Sequence, residues 1–229
     1  MKKEMVVIIP AYNEENSVGK VVNDIPKDIV SEVIVVNNNS NDATEANAKA
    51  AGATVLKETR QGYGYACLKG MEYASAREVM PDIVIFLDAD YSDYPEEIHQ
   101  VIAPILEEDY DMVIGSRATG KRERGSMTPQ QIFGNWLATT LMRWFYGVKY
   151  TDLGPFRAIK YDKLMELNMV DKTYGWTVEM QLKAAKKNYK TCEVPVTYRQ
   201  RIGVSKVSGT VKGTIGAGYK IITTIFKYL

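Results

Sequence analysis

The chain has 229 residues, about one and a half times the ~150-residue domain prior, so one large domain is the default. Its 29 lysines and arginines nearly cancel 28 acids, and the net charge of +1 argues against a protein that holds nucleic acid by bulk charge. Cys67 and Cys192 are too few for a disulfide framework, no Cys/His cluster suits zinc, and with His99 as the one histidine Ser-His-Asp chemistry would rest on that residue alone.

Lys2 and Lys3 precede only a short apolar run, cut off by Asn13, Glu14 and Glu15, which does not read as a signal peptide. No stretch of ~20 uncharged apolar residues reads as a transmembrane helix. The expectation is a reducing, cytoplasmic setting. Met5 to Ile9 is short, continuous and β-branched, as in a strand buried on both faces of a parallel sheet. Pro10 ends it, and residues 13–25 carry a helical pattern through Val18, Val21, Val22 and Ile25. A second buried strand over 33–36 runs into Asn37, Asn38 and Asn39. An alanine-rich helix over 44–51 closes at Gly52, a third strand covers 54–56, and a helix covers 65–76. The fourth strand, 83–87, leads into Asp88-Ala89-Asp90. A helix over 95–107 and a fifth strand over 112–114 follow, and then Gly115-Ser116-Arg117.

This alternation predicts βαβ units, right-handed crossovers and a mostly parallel α/β sheet flanked by helices. Ligands of such sheets bind beyond the carboxyl ends of the strands. Residues 12–14, 37–39, 88–90 and Arg117 all fall at such ends, which predicts one shared site.

The second half is less regular. Residues 116–130, with Lys121, Arg122 and Arg124, read as a mobile basic loop, and 131–146 as an amphipathic helix with Trp136, Trp144 and Phe145. A helix over 178–187, an alternating strand over 191–198 and a Gly/Ser/Lys loop over 199–209 follow. In the tail, 211–229, Ile215, Ile222, Ile225, Phe226 and Leu229 approximate one stripe interrupted by lysines, as in an interfacial amphipathic helix or a helix packed on its own domain.

Asp88 and Asp90 at the end of a buried strand are costly unless a positive group neutralises them. Mg²⁺ or Mn²⁺, bridging carboxylates and a diphosphate, would do so. Asp93 could add a ligand or a supporting contact. The alternative is a pair of turn aspartates before Pro95.

Taken together, Ile9-Pro10-Ala11-Tyr12-Asn13-Glu14-Glu15, the strand-two end with Ser40 to Thr44, and Leu87-Asp88-Ala89-Asp90 resemble family 2 glycosyltransferases of the GT-A fold. Arg60-Gln61-Gly62-Tyr63-Gly64-Tyr65-Ala66, Gly115-Ser116-Arg117, Asp152-Leu153-Gly154-Pro155-Phe156-Arg157 and Arg199 to Lys206 extend the similarity over roughly residues 5 to 210. It is nearest to the branch of dolichol- and polyprenyl-phosphate sugar synthases. The resemblance implies a GT-A domain over 1–210, followed by the amphipathic helix 211–229. It also implies nucleotide contacts from Pro10, Tyr12, Glu14 and Gly62, and metal and diphosphate contacts from Asp88 and Asp90, with Asp90 as the main ligand. Where the family carries an acidic pair at the strand-two end, this chain has Asn37 and Asn38. One of these two is expected to bind the base, while Asn39 suits a turn. Arg117, Arg199, Arg201 and Lys206 are candidates to clamp phosphate oxygens, with Arg supplying a bidentate fork.

The implied reaction is inverting transfer from a nucleoside-diphosphate sugar, GDP- or UDP-linked. A hydroxyl acceptor needs a positioned base, for which Asp152 and Glu179 are the candidates. A phosphate monoester, with its second pKa near ~6, needs only positive groups to place it. The many cations favour a lipid-phosphate acceptor, which the terminal helix and basic loop would meet at the inner face of the membrane. A glycan hydroxyl acceptor and a non-catalytic nucleotide-sugar-binding protein are the rivals. A dinucleotide oxidoreductase is disfavoured because no Gly-x-Gly-x-x-Gly follows the first strand.

Overall fold

A computed structural model describes residues 3–203, 205 and 211–229. Seven strands form one sheet in the order β3-β2-β1-β4-β6-β5-β7: β1 (Met5–Ala11), β2 (Glu32–Asn37), β3 (Thr54–Lys57), β4 (Ile83–Phe86), β5 (Met112–Ser116), β6 (Arg157–Lys160) and β7 (Thr191–Pro195). β1 pairs in parallel with β2 and β4, β2 with β3, and β5 with β7. Among the described strands only β6 runs antiparallel, between β4 and β5.

The apolar runs make this sheet because successive strand side chains point to opposite faces. Val6 and Ile8 of β1 join Ile34 and Val36 on one face, beneath α3 (Tyr63–Ser75), α5 (Pro129–Tyr146) and α7 (Trp176–Lys186). Val7, Ile9 and Val35 face the other way, onto α1 (Val18–Asp24), α2 (Thr44–Ala50) and α4 (Ile98–Glu108). Each such buried aliphatic side chain contributes roughly 1.5–3 kcal/mol. Helix α3 lies so close to β1 that a β-carbon on Gly70 would stand 2.5 Å from the Ile8 side chain. The chain leaves β3 and returns on the far side of β1 to form β4, which opens a crevice above the carboxyl ends of β1 and β4.

The α/β architecture, the five strands of the first half and the C-terminal helix α8 (Val211–Lys227) match the sequence reading. Three details differ. The first helix starts at Val18 rather than near Asn13, because Asn13 takes a left-handed φ of 53° and residues 15–17 form a turn. Strand β6 and the short α6 (Tyr161–Glu166) were not legible, since Arg157 and Lys160 at the ends of β6 hide a buried antiparallel strand. The basic segment 117–128 is tied down rather than mobile: the Tyr198 amide donates to the Lys121 carbonyl (2.8 Å) and the Glu123 amide to the Tyr198 carbonyl (2.9 Å). Helix α5 opens with a Thr128–Gln131 capping box. No helix among the described residues is long and apolar enough to cross a membrane.

Candidate functional site

Above the β1–β4 crevice lies a cavity of about 510 Å³, walled by the ends of β1 and β4, the turn before α3, residues 173–174 and Arg201. Pro10, expected to end the first strand, lies inside β1, which runs on to Ala11 at the rim. The left-handed Asn13 then turns the chain so that Glu14 comes back into the cavity, where its Oε1 lies 3.0 Å from Arg201 Nη2 and its Oε2 accepts from Ser17 Oγ (3.1 Å). Pro10, Tyr12 and Glu14, expected around a nucleotide, all line the space.

Asn37, the last residue of β2, and Asn38 after it diverge, as alternation along an extended chain requires. Asn37 points to the α2 turn, accepting from the Ser40 amide (2.9 Å) and donating to Glu45 (3.1 Å), so it lies off the cavity. Asn38 lines it. There its amide donates to the Glu58 and Arg60 carbonyls (3.1 and 2.7 Å), and its carbonyl accepts from the Gly62 amide (2.8 Å). Asn38 thereby shapes the turn carrying Gly62, at φ +151°, where a β-carbon would stand 2.2 Å from the Lys172 carbonyl oxygen. Asn39 takes the left-handed turn conformation expected of it, φ 65°.

Asp88 and Asp90 sit on the cavity floor. Asp90 is well supplied: Oδ1 accepts from the Ser92 amide (2.9 Å) and hydroxyl (2.5 Å), and Oδ2 lies 3.2 Å from Arg201 Nη1. Asp88 Oδ1 is shielded from solvent and has no hydrogen-bond donor. Burial, and then the neighbouring Asp90 charge, push the Asp88 carboxyl up to about 7. The residues therefore fit a hard divalent cation. They offer one oxygen in want of positive charge and a second carboxylate beside it, whose present counter-charge, Arg201, also spans to Glu14. Two carboxylates fill only part of a six-oxygen shell, the rest falling to water and a diphosphate. The free oxygen is on Asp88, whereas Asp90, expected to be the main ligand, already has partners on both oxygens. Asp93 is 2% exposed with both carboxylate oxygens unpartnered, and burial followed by the Asp88 charge holds its carboxyl well above the ordinary range.

The remaining candidates separate. Arg117 grips Asp152 through its backbone amide (2.7 Å), Nε (2.9 Å) and Nη2 (2.7 Å), and its guanidinium lies over the Tyr198 ring. Burial alone would raise the Asp152 carboxyl; Arg117 overrides it and holds it below the ordinary aspartate value. Glu179 is not brought to the cavity. Fully buried on α7, it accepts from the Val170 and Asp171 amides and from Tyr228, and pairs with Lys183. Arg199 is drawn off the cavity as well, between the rings of Tyr91 and Tyr94, donating to the Tyr91 and Asp93 carbonyls. Arg201 stays in the cavity. Lys206 lies outside the described residues. Thr173, Tyr174 and the Tyr63 side chain also line the space. No periodicity or turn signal marks 173–174, because long-range packing alone puts that loop there.

The sequence profile described as Glycosyl transferase family 2 matches residues 6–167. Among curated relatives, the chain is 30% identical over 208 residues to the dolichyl-phosphate hexose transferase of Haloferax volcanii, covering 89% of this chain and 86% of that one. It is also 30% identical over 224 residues to the undecaprenyl-phosphate mannosyltransferase of Micrococcus luteus, covering 91% and 89%. Among solved structures, it superposes on Mycobacterium tuberculosis glucosyl-3-phosphoglycerate synthase, crystallised with Mn²⁺, uridine diphosphate and glucosyl-3-phosphoglycerate. The TM-score is 0.76 at 20% identity, over 99% of this chain and 80% of that one, a likeness of fold.

Proposed function

The chain belongs to glycosyltransferase family 2 and is a glycosyltransferase, and from that premise we propose that it moves a hexose, with inversion, from a UDP- or GDP-linked sugar to a polyprenyl- or dolichyl-phosphate-type acceptor. One observation carries the choice of acceptor. Both carboxylates expected to serve a hydroxyl acceptor as base are committed elsewhere, Asp152 to Arg117 and Glu179 to two amides and Lys183. A carboxylate held in its ionised form by a bidentate arginine is a weak proton acceptor, and a dianionic phosphate needs none. The names of the two relatives agree with this reading.

Tyr12, Glu14 and Asn38 with Gly62 form the nucleotide end of the cavity, and Asp88 and Asp90 are the residues that would hold Mg²⁺ or Mn²⁺. Bound there, the cation would supply Lewis-acid neutralisation of the departing diphosphate. Arg201 is placed to follow that charge, because its two Nη atoms already rest on Glu14 and Asp90 at the same floor. Arg117, expected to clamp phosphate, does not line the cavity and spends Nε and Nη2 on Asp152, so its fork is not free for a phosphate.

The surface suits an acceptor held in a bilayer. α5 and α8 pack together through Phe145 and Phe226 (5.4 Å between centroids) and leave Phe133, Trp136, Trp144, Ile215 and Tyr219 exposed, Trp144 at 74% and Tyr219 at 72%. Segments 118–149 and 211–229 carry eight lysines and arginines against one acid, Glu123, while the rest of the chain has 21 cations and 27 acids. Aromatic side chains interleaved with cations fit an anionic lipid surface, here the cytoplasmic face of a membrane.

The test is incubation with radiolabelled UDP-glucose or GDP-mannose, Mn²⁺ and undecaprenyl or dolichyl phosphate in detergent. Label should pass into the organic phase and fail to do so in Asp90→Ala. Label appearing only on a water-soluble glycan, with turnover lost in Asp152→Asn, would replace this acceptor by a hydroxyl. Donor binding without any transfer would leave a binding protein.

A further inference from the structure

The loop 170–175 forms one wall of the cavity through Thr173 and Tyr174, and it is held from behind by the C-terminal helix. Tyr228, just past α8, donates to Glu179 Oε1 (2.6 Å), and Lys183 Nζ lies 2.7 Å from the same oxygen. Glu179 in turn accepts from the Asp171 amide (2.7 Å) and the Val170 amide (3.1 Å). A second tie runs beside it. Lys220 Nζ is 2.9 Å from Asp171 Oδ2, while Asp171 Oδ1 accepts from the amides of Thr173 (2.8 Å) and Gly175 (3.2 Å).

The loop is joined to the opposite wall just as closely. The Tyr65 amide donates to the Lys172 carbonyl (3.2 Å), and β-carbons at Gly62 and Gly64 would stand 2.2 and 2.1 Å from the carbonyl oxygens of Lys172 and Asp171. Backbone packed on backbone with no room for a β-carbon leaves no slack, so the turn before α3 must follow the loop.

We propose that Glu179 and Asp171 are positioning residues through which helix α8 sets the shape of the cavity, and that seating of α8 and filling of the cavity favour each other. The physical requirement is a buried carboxylate whose position is fixed by donors on two sides, the loop amides on one and α8 on the other. When α8 lifts, Glu179 loses Tyr228 and keeps only Lys183 as a side-chain partner, Asp171 loses Lys220, and the amides both carboxylates gather are held less firmly. By linkage, a ligand that needs the closed wall must then strengthen the seating of α8 by the same factor. The helix has no contact with the nucleotide end of the cavity in this scheme; its influence travels through the loop. Only the ligand arm of the test rests on the nucleotide-sugar reading.

The experiment is amide hydrogen exchange by mass spectrometry on the full chain. Tyr228→Phe and the double variant Tyr228→Phe/Lys220→Met keep the ring packing and remove the ties. Exchange at 170–175 and at 61–65 should quicken on the order of tenfold, the scale of one lost hydrogen bond to a charged group, while β1 and β4 stay as in the wild type. In the wild type, Mn²⁺ with UDP or with GDP should slow exchange in α8, and in the double variant that response should disappear. Unchanged exchange at 61–65 while α8 itself frays would overturn the proposal, and so would nucleotide binding that leaves α8 untouched. If neither nucleotide binds the wild type, the nucleotide-sugar reading fails and the variant arm still decides the coupling. Should the double variant not fold, Tyr228→Phe alone and the wild-type ligand arm give the answer.

Discussion

At Asp88, one carboxylate oxygen lies out of solvent with no donor, and the group keeps its proton up to about 7. An aspartate whose folded-state pKa lies above its unfolded one near 3.8 favours the native state when protonated. Its contribution is therefore present below about pH 4 and is lost as pH rises toward 7 in the metal-free protein. A cation competing for the same oxygen meets the opposite trend. Mn²⁺ affinity, read by calorimetry, should rise up to about tenfold per pH unit below 7 and level off above it, and Asp88→Asn should flatten that profile. Asp152 carries a different expectation. Asp152→Ala strips the bidentate partner from a largely buried Arg117 and should cost about 3–5 kcal/mol, a drop in Tm on the order of 10 °C by circular dichroism. A drop of only a degree or two would show that Arg117 finds another partner, and the claim that Asp152 fixes its fork would fall.

The elements that matter most are a turn and a helix pair. The turn before α3 owes its path to Asn38 on one side and to Lys172 on the other, with Gly62 where no side chain fits. Gly62→Ala should destabilise by about 1–3 kcal/mol and weaken nucleotide binding, whereas alanine at Gly134, where a β-carbon meets nothing within 4 Å, should do neither. In α5 and α8 the apolar stripe is divided: Ala138, Met142 and Ile225 enter the core, while Trp144 and Phe226 remain outside. Trp144→Ser with Phe226→Ser should abolish co-sedimentation with anionic vesicles and leave nucleotide affinity as it was. Retained vesicle binding would move the lipid contact elsewhere.

For the whole molecule, near-neutral net charge conceals an uneven distribution, since eight of the nine charged residues in 118–149 and 211–229 are basic within a chain that is otherwise acidic. Vesicle binding should therefore weaken as ionic strength rises from ~0.05 to ~0.5 M, as screening shortens the reach of those charges. Ligand linkage acts on the same scale. At a hundredfold excess over Kd, Mn²⁺ with the cognate nucleoside diphosphate should add about 2.7 kcal/mol, and a panel of UDP, GDP and dTDP scored by thermal shift should single out the base.

The sequence by itself determined the parallel sheet, since runs such as 5–9, 33–36 and 83–87 can be satisfied only by burial on both faces, and it brought Tyr12, Glu14, Asn38, Asp88 and Asp90 to one site, though not Asn37, Asn39 or Arg117. Pro10, Tyr12, Glu14, Asp88, Asp90 and Arg201 were expected at a ligand site from the family resemblance and from the chemistry of an aspartate pair and an arginine, and all six line one cavity. What the side chains do there was settled by the neighbours that folding gives them. Asn37 turns away because Ser40 and Glu45 satisfy it, Arg199 because two tyrosines sandwich it, and Glu179 because the 170–171 amides and the end of α8 surround it. Those partners lie from three to 108 residues away along the chain. A residue's type states which bonds it can make, but only the folded packing selects which of them form.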